Sequence, residues 1–267
     1  MRVNIHKSGQ RGFRDQNWLQ SWHSFSFADY FNPLREKFGV IRVLNDERLA
    51  PGSGFQMHEY KNLEIILIPL KGSFKFEWIN RSNVSKPEIS AGDMTSKEED
   101  LNFITENRFV SCGEFLLIST GSGLSYSITN NDVDSLELIQ IWIFPEKKNL
   151  RPNVQLGEFK NKRKNIVQKL LSTEKDANVM HINQKVQLSI CKLESNNLFD
   201  YTLTDTSNYL FVFIIEGQVQ LLDSGNANSN DYIAEYRDSI EVSMIEYPIQ
   251  FKALQSSKLL IIETQPD

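Results

Sequence analysis

Short segments of apolar or alternating residues, separated by turn residues, follow one another along most of the chain. From residue 38 onward, β-branched and aromatic stretches such as "FGVIRVL", "LEIILIPL", "SFKFEWI" and "LELIQIWIF" recur with Gly, Asn, Asp or Ser between them. Few stretches longer than ten residues have a helical period, and the best helix candidate is roughly 161–171. The pattern predicts an all-β fold, a sandwich or barrel, with little helix.

Two stretches share one arrangement and suggest an internal repeat. "LEIILIPLKGSFKFEWI" (63–79) and "NYLFVFIIEGQVQLLD" (208–223) each contain an apolar run, a charged residue followed by Gly, and then apolar/polar alternation. We interpret each stretch as a hairpin with a tight glycine turn. Two copies of a β unit predict two stacked β barrels or sandwiches, with the first in 1–145, a linker in 146–165 and the second in 166–267.

An insertion interrupts the first copy of the repeat. Residues 80–109 are polar, rich in charge and poor in aliphatic side chains until their end. Such a composition predicts an exposed loop or an extended hairpin arm. We expect it to decorate the surface, although an arm of this length could also cover the mouth of the first barrel.

Charge and composition exclude several classes of protein. The net charge is −5, and the one dense basic stretch, 160–169, lies in a polar connecting region without interleaved aromatic residues, so we expect no direct contact with nucleic acid. Cys112 and Cys191 lack metal-type spacing and are expected to be reduced thiols. The longest purely apolar run, 210–215, is too short to span a bilayer, and the first residues lack an apolar signal segment. We therefore expect a cytoplasmic protein without membrane contact.

Four blocks, in order and spacing, carry a resemblance to a known family. They are "NWLQSWHSFSFADYFNP" (17–33), "GFQMHEYKNLEI" (54–65), "CGEFLLISTGSGLSYSITN" (112–130) and "IQIWIFPEKKNLRP" (139–152). Together they resemble the pirin family of bicupins. The resemblance covers about residues 1–160, and the second half matches only in general plan. It implies two cupin-type β barrels packed together, in agreement with the repeat.

The resemblance also implies a metal site in the first barrel, where three His and one Glu of metal-binding pirins hold iron or a similar ion. In this chain the corresponding positions are His58, Tyr60, Tyr126 and Ile128. A tyrosine, with a reference pKa of about 10, must lose its proton to bind a metal well, and isoleucine offers no donor atom. We therefore expect no metal cofactor, and we assign no catalytic residue.

An alternative interpretation keeps a metal. Ferric iron accepts tyrosinate, so His58, Tyr60 and Tyr126 would form an iron site, with Glu64 as a fourth ligand six residues after His58. In the interpretation we favour, the tyrosines and Ile128 fill the barrel interior with a few satisfied hydrogen bonds. His58, Tyr60, Tyr126, Ile128 and Glu64 are then candidate residues of a ligand pocket. His23 falls outside the ligand set, and we expect it to fix the N-terminal segment by hydrogen bonding.

Two hypotheses of function follow from these residues. The first is a non-catalytic, pirin-like bicupin that has lost the usual metal site and binds a small molecule in its first barrel or a protein partner in a regulatory role. The second is a metal-dependent oxidoreductase, similar to quercetin 2,3-dioxygenase, with iron in a rearranged His/Tyr site. The sequence favours the first hypothesis without deciding whether the protein is an enzyme.

Overall fold

The computed structural model describes residues 1–79, 105–159, 164–174, 179–222, 232–246 and 248–266. Within these residues the regular structure consists of β-strands and one short 3-10 turn, Ser8–Gln10. The prediction of an all-β fold with little helix is confirmed. In the described part of the chain, no helix is long and apolar enough to cross a membrane.

The strands of the first half are β1 (Arg2–His6), β2 (Gly12–Asp15), β3 (Leu19–His23), β4 (Ile41–Leu49), β5 (Gly54–Tyr60), β6 (Glu64–Lys71), β7 (Ser73–Ile79), β8 (Thr105–Ser111), β9 (Glu114–Ser119), β10 (Leu124–Thr129), β11 (Leu136–Ile143) and β12 (Asn153–Glu158). Those of the second half are β13 (Val167–Ser172), β14 (Met180–His181), β15 (Val186–Leu193), β16 (Leu198–Tyr201), β17 (Tyr209–Glu216), β18 (Gln218–Leu222), β19 (Ile233–Glu235), β20 (Ser239–Ser243), β21 (Ile249–Ala253) and β22 (Ser257–Thr264).

These strands form two similar pairs of sheets. In the first pair, a seven-stranded sheet of order β12-β9-β6-β11-β4-β3-β2 faces a four-stranded sheet of order β5-β10-β7-β8. In the second pair, the orders are β1-β20-β17-β22-β15-β13-β14 and β16-β21-β18-β19. Each pair encloses its own apolar core, to which both of its sheets contribute. The two predicted cupin-type barrels are therefore present.

In each barrel, one glycine connects a strand of the large sheet to a strand of the small sheet, at equivalent positions. β6 pairs with β9 and β11 in the large sheet, whereas β7 pairs with β8 and β10 in the small one. Gly72 between them has φ +80°, and Gly217, between β17 and β18, has φ +86°. Glycine adopts this left-handed conformation without steric cost. The repeat is real, but the hairpin interpretation was wrong, because in both copies the flanking strands belong to different sheets.

The two large sheets pack against each other and form a third, central core. Ile66 and Ile141 from the first barrel lie in one apolar cluster with Leu188, Phe211 and Ile262 from the second. Strands such as β6 and β17 are therefore buried on both faces, which explains their continuous apolar sequences.

Two strands cross the domain boundaries predicted from sequence. β1 pairs with β20, at the edge of the large sheet of the second barrel. β12 lies inside the predicted linker, 146–165, and pairs with β9 at the edge of the first barrel's large sheet. The domain boundaries were predicted from the composition along the chain. Composition does not reveal β1 and β12 as edge strands of the large sheets, because both segments are polar and half exposed.

Two further predictions require correction or fall outside the described residues. In the helix candidate 161–171, residues 161–163 are not described, and Val167–Ser172 is strand β13, paired with β15, so the helix prediction was wrong there. Most of the 80–109 insertion, 80–104, also lies outside the described residues. Its end belongs to β8, which pairs with β7 along 73–79.

The central core gives a first testable prediction. Ile141 is fully buried between the large sheets, and its replacement by Ala should lower the free energy of unfolding by about 2–5 kcal/mol, because a cavity forms in a close-packed core. Val133, which is 93% exposed, is the control, and its replacement by Ala should change stability by less than about 0.5 kcal/mol. Chemical denaturation of the three proteins measures both values. Equal stabilities would contradict a shared core between the barrels.

Candidate functional site

A cavity of about 220 Å³ lies inside the first barrel, and we call it the barrel pocket. It is lined by Arg14, Gln16, Trp18, Leu19, Ser21, His23, Phe27, Glu47, Phe55, Tyr60, Tyr126, Gln140 and Trp142. Its walls are aromatic, and its polar groups come mainly from the large sheet.

Strand alternation explains why these residues meet. Successive side chains of a strand point to opposite faces, so Leu19, Ser21 and His23 of β3 share the face toward the pocket. Gln140 and Trp142 of β11 do the same. The barrel pocket therefore forms where the inward faces of the large and small sheets diverge.

A buried carboxyl group is the main polar feature of this pocket. Glu47 of β4 is 3% exposed. Ser21 Oγ donates a hydrogen bond to Glu47 Oε1 (3.3 Å), and Gln140 Nε2 donates one to Glu47 Oε2 (3.0 Å). Gln140 Oε1 in turn accepts a hydrogen bond from Trp142 Nε1 (2.7 Å). These contacts hold the carboxyl group and one aromatic wall in a fixed arrangement.

Burial changes the charge of this carboxyl group. Desolvation raises the pKa of Glu47 to about 8, although the hydrogen bonds from Ser21 and Gln140 oppose the rise. At neutral pH Glu47 is therefore mostly a neutral acid. A neutral carboxyl group can donate a hydrogen bond, which a carboxylate cannot.

Tyr60 and Tyr126 lie together on the opposite wall. Their rings are stacked with centroids 4.9 Å apart, and Tyr60 also contacts Trp142 edge-on at 5.4 Å. Each hydroxyl group lies close enough to the other to influence its pKa. Burial raises the pKa of Tyr60, and burial together with the neighbouring Tyr60 raises that of Tyr126 well above its usual value. Both phenols therefore stay protonated.

The other candidates from the sequence lie elsewhere. His58 is exposed on β5 and touches the pocket only indirectly, through an edge-on contact with Tyr60 at 5.0 Å. Ile128 is fully buried in the barrel core. Glu64 is buried at the start of β6, where it accepts hydrogen bonds from Ser119 Oγ (2.8 Å) and from Asn183 Nδ2 of the second barrel (3.1 Å). Of the five candidates, Tyr60 and Tyr126 line the pocket.

His23 hydrogen-bonds to β4 of the barrel and packs against the N-terminal segment. Its Nδ1 and the side-chain oxygen of Asn45, Oδ1, lie 2.9 Å apart and share a hydrogen bond. Its ring contacts Phe27 and Tyr30 of the N-terminal segment at 5.3 and 6.4 Å. Burial lowers the pKa of His23, so the ring is neutral at pH 7.

Three polar residues of the barrel pocket were not predicted from the sequence: Glu47, Ser21 and Gln140. One signal was available for the first of these, because "NDER", 45–48, places consecutive polar residues inside a strand that continues to Leu49. Ser21 and Gln140 carried no comparable signal, since single polar residues in a half-buried strand are common.

With the fold established, comparisons with known proteins define the family. The family model described as pirin matches residues 5–96, and the one described as quercetinase C-terminal cupin domain matches residues 169–264. The protein is thus a bicupin, with one cupin domain in each half. The chain belongs to the pirin family.

Relatives named as quercetin 2,3-dioxygenases occur in several bacteria. The chain is 32% identical to the quercetin 2,3-dioxygenase of Escherichia coli strain K12 over 158 residues, which are 59% of this chain and 58% of that protein. The match thus spans less than two thirds of that relative. A putative quercetin 2,3-dioxygenase of Pseudomonas aeruginosa is 26% identical over 254 residues, or 94% of this chain and 95% of the relative.

Solved structures support the same fold. The bacterial pirin YhhW from Escherichia coli, in complex with nickel(II), superimposes with a TM-score of 0.82 at 24% identity, over 100% of both chains. The protein YhaK from Escherichia coli gives a TM-score of 0.64 at 25% identity, covering 90% of this chain and 92% of the other.

The nickel complex of YhhW raises the question of whether this chain has a matching set of donors. Among the described residues, no group of three or more His, Cys, Asp or Glu side chains is placed to hold a metal ion. Around the barrel pocket, Glu47 is mostly neutral, His58 lies outside the lining, and both tyrosines are protonated. This donor set does not fit a divalent metal, which prefers neutral imidazole and carboxylate.

The raised pKa of Glu47 predicts a specific pH dependence of stability. In the folded state Glu47 holds its proton up to about pH 8, whereas in the unfolded chain it loses the proton near the ordinary pKa of a glutamate, 4.5. The contribution of Glu47 to the free energy of unfolding is therefore fully present below about pH 4.5. It decreases as the pH rises toward 8, by up to about 1.4 kcal/mol per pH unit.

The variant Glu47→Gln, which is neutral at every pH, tests this dependence by thermal melting at pH 5, 6.5 and 8. Relative to the variant, the natural protein should lose stability as pH rises. Other titrating groups, such as His6, whose pKa burial lowers to about 4, are common to both proteins and cancel in the difference. Parallel pH profiles would show that Glu47 is ionised in the folded state.

Proposed function

We propose that the first barrel is a metal-free binding site for a small aromatic molecule that carries a hydroxyl or carbonyl oxygen. The observation that carries this proposal is a neutral, buried Glu47 facing a cavity with aromatic walls. In this proposal the protein senses or carries its ligand and does not transform it.

The volume of the barrel pocket limits the size of the ligand that it can hold. Its volume, about 220 Å³, is below the roughly 300–1,000 Å³ typical of pockets for drug-sized ligands. One or two fused rings fit this space better than a larger, three-ring molecule. Trp18, Phe55 and Trp142 offer flat surfaces against which such rings pack.

Polar groups on opposite walls would fix the orientation of the ligand. The protonated carboxyl group of Glu47 is suited to donate a hydrogen bond to a ligand oxygen, and the Tyr60 hydroxyl is suited to a second contact. The Glu47 carboxyl group is already held by hydrogen bonds from Ser21 and Gln140, so this part of the site is formed before the ligand binds.

The proposed loss of the family's metal rests on the donor set. At the positions that resemble the pirin ligands, Tyr60 and Tyr126 replace imidazole and Ile128 replaces a carboxylate. The raised pKa of each tyrosine opposes the ionisation that ferric binding needs. Glu64, the remaining candidate, is engaged by Ser119 and Asn183. Binding without a metal is therefore the function that these residues favour.

A titration with 2-naphthol, a two-ring phenol, tests the binding function. Calorimetry should show saturable binding to the natural protein. Tyr60→Phe should weaken it about 3- to 10-fold, since it removes one neutral hydrogen bond and keeps the ring. The matched control is Tyr232→Phe in the second barrel, which should bind as the natural protein does. Absence of binding, or equal affinity in all three proteins, would count against the proposal.

The names of the relatives support the dioxygenase hypothesis, which makes the opposite prediction about turnover. We expect protein supplied with Fe(II) or Ni(II) to consume quercetin no faster than the free metal does, measured by oxygen uptake and loss of the flavonol spectrum. Enzymatic turnover that disappears in His58→Ala would establish the dioxygenase instead and overturn the metal-free proposal.

A further inference from the structure

A second cavity, of about 330 Å³, lies between the two barrels, and we call it the cleft pocket. The residues that matter for its chemistry are Arg11, Trp22, Asp46, Arg48, Glu137 and Arg237. β3 and β4 separate it from the barrel pocket, because Trp22 and Arg48 point to the face opposite Ser21 and His23. The two cavities are therefore distinct sites on opposite faces of the same strands.

The charges around the cleft pocket do not balance. Arg237 Nε lies 3.5 Å from Asp46 Oδ2, and Arg237 NH2 lies 3.0 Å from Glu137 Oε2. Arg11 and Arg48 contact the same two carboxylates at 3.4 Å. Glu47 also touches this cavity, but its carboxyl group bonds to residues of the barrel pocket and is mostly neutral. Asp238, whose charge also acts on Arg11, is paired with Lys7 at 2.8 Å. Among the lining residues three guanidinium groups thus face two carboxylates, which leaves an excess of one positive charge.

The position of Arg237 in the cleft is energetically unfavourable. It is 6% exposed, and its NH1 atom is buried without a hydrogen-bond partner among the described residues. Its backbone has φ +66°, a conformation unfavourable for residues other than glycine, and is fixed by a 2.7 Å hydrogen bond to Ile214 O. A buried, unpaired donor of a charged group is destabilising, and a ligand oxygen that came within hydrogen-bond distance of NH1 would relieve that cost.

Aromatic surfaces flank the same charges. Trp22 lines one wall, and Tyr236, which is half exposed, lines another with the Arg237 guanidinium 4.8 Å from its ring centroid. A cavity that combines flat walls with forked cationic donors suits a planar molecule with a negative end.

We propose that the cleft pocket binds a small planar monocarboxylate. A carboxylate matches the two-pronged geometry of a guanidinium, and a single negative charge matches the excess of one. A phosphate dianion would bring a second charge close to Asp46 and Glu137 and is disfavoured. This proposal does not depend on the function of the barrel pocket.

The test uses benzoate as the probe, titrated by ligand-detected NMR, with benzamide as its neutral isostere and inorganic phosphate as the dianion. Arg237→Gln and Arg48→Gln remove cleft charges, and Arg108→Gln removes an exposed arginine of β8 as the control. The Arg48 side chain is 48% exposed, so Arg48→Gln is expected to fold. It therefore serves as the test variant if Arg237→Gln does not fold. Melting curves identify the folded variants.

The proposal predicts that benzoate binds about tenfold or more tightly than benzamide or phosphate, and that Arg237→Gln weakens benzoate binding about tenfold or more. Arg48→Gln should weaken it several-fold and Arg108→Gln not at all. The proposal is overturned if benzoate shows no binding at millimolar concentration, if phosphate or benzamide binds equally well, or if Arg108→Gln causes the same loss as the cleft variants.

Discussion

Face-to-face packing of the two large sheets is the constraint on which the rest of this structure depends. It buries β6, β11, β17 and β22 on both faces and so requires continuous apolar sequences at the centre of the molecule. Most polar groups of the two cavities lie toward the β3 and β4 side of the first sheet. There, neighbouring residues of β4 point to opposite faces, with Glu47 toward the barrel and Asp46 toward the cleft.

This arrangement accounts for the chemistry of both cavities. A carboxyl group enclosed by strands and aromatic rings loses contact with water, so Glu47 keeps its proton and becomes a donor. On the other face, Asp46 meets Arg11 and Arg237 and stays part of an ion-pair network. The same pair of strands therefore presents a neutral polar site to one side and a cationic site to the other.

The sequence predicted the fold well because its signal is local. Strand periodicity and the repeat around Gly72 and Gly217 are properties of neighbouring residues, and they were enough to predict two β barrels. That these glycines connect different sheets was not predictable, because pairing partners are set by long-range contacts such as β6 with β11. The edge positions of β1 and β12 were missed for the same reason.

The site was predicted in part. The resemblance placed Tyr60 and Tyr126 on one inner face, and the structure brings their rings into contact. Sequence spacing could not tell that Glu64 faces the second barrel, where Asn183 binds it. Nor could it find Glu47, since the inward direction of one carboxylate in a polar run depends on strand register, and its raised pKa on the enclosure around it.

The central claim is that the barrel pocket works without a metal. Plasma mass spectrometry of protein purified without chelators or a histidine tag, together with the visible absorption spectrum of the same sample, tests it most directly. The account predicts a colourless protein with iron, nickel and manganese far below one equivalent. A near-stoichiometric metal, above all iron with a tyrosinate charge-transfer band, would contradict it.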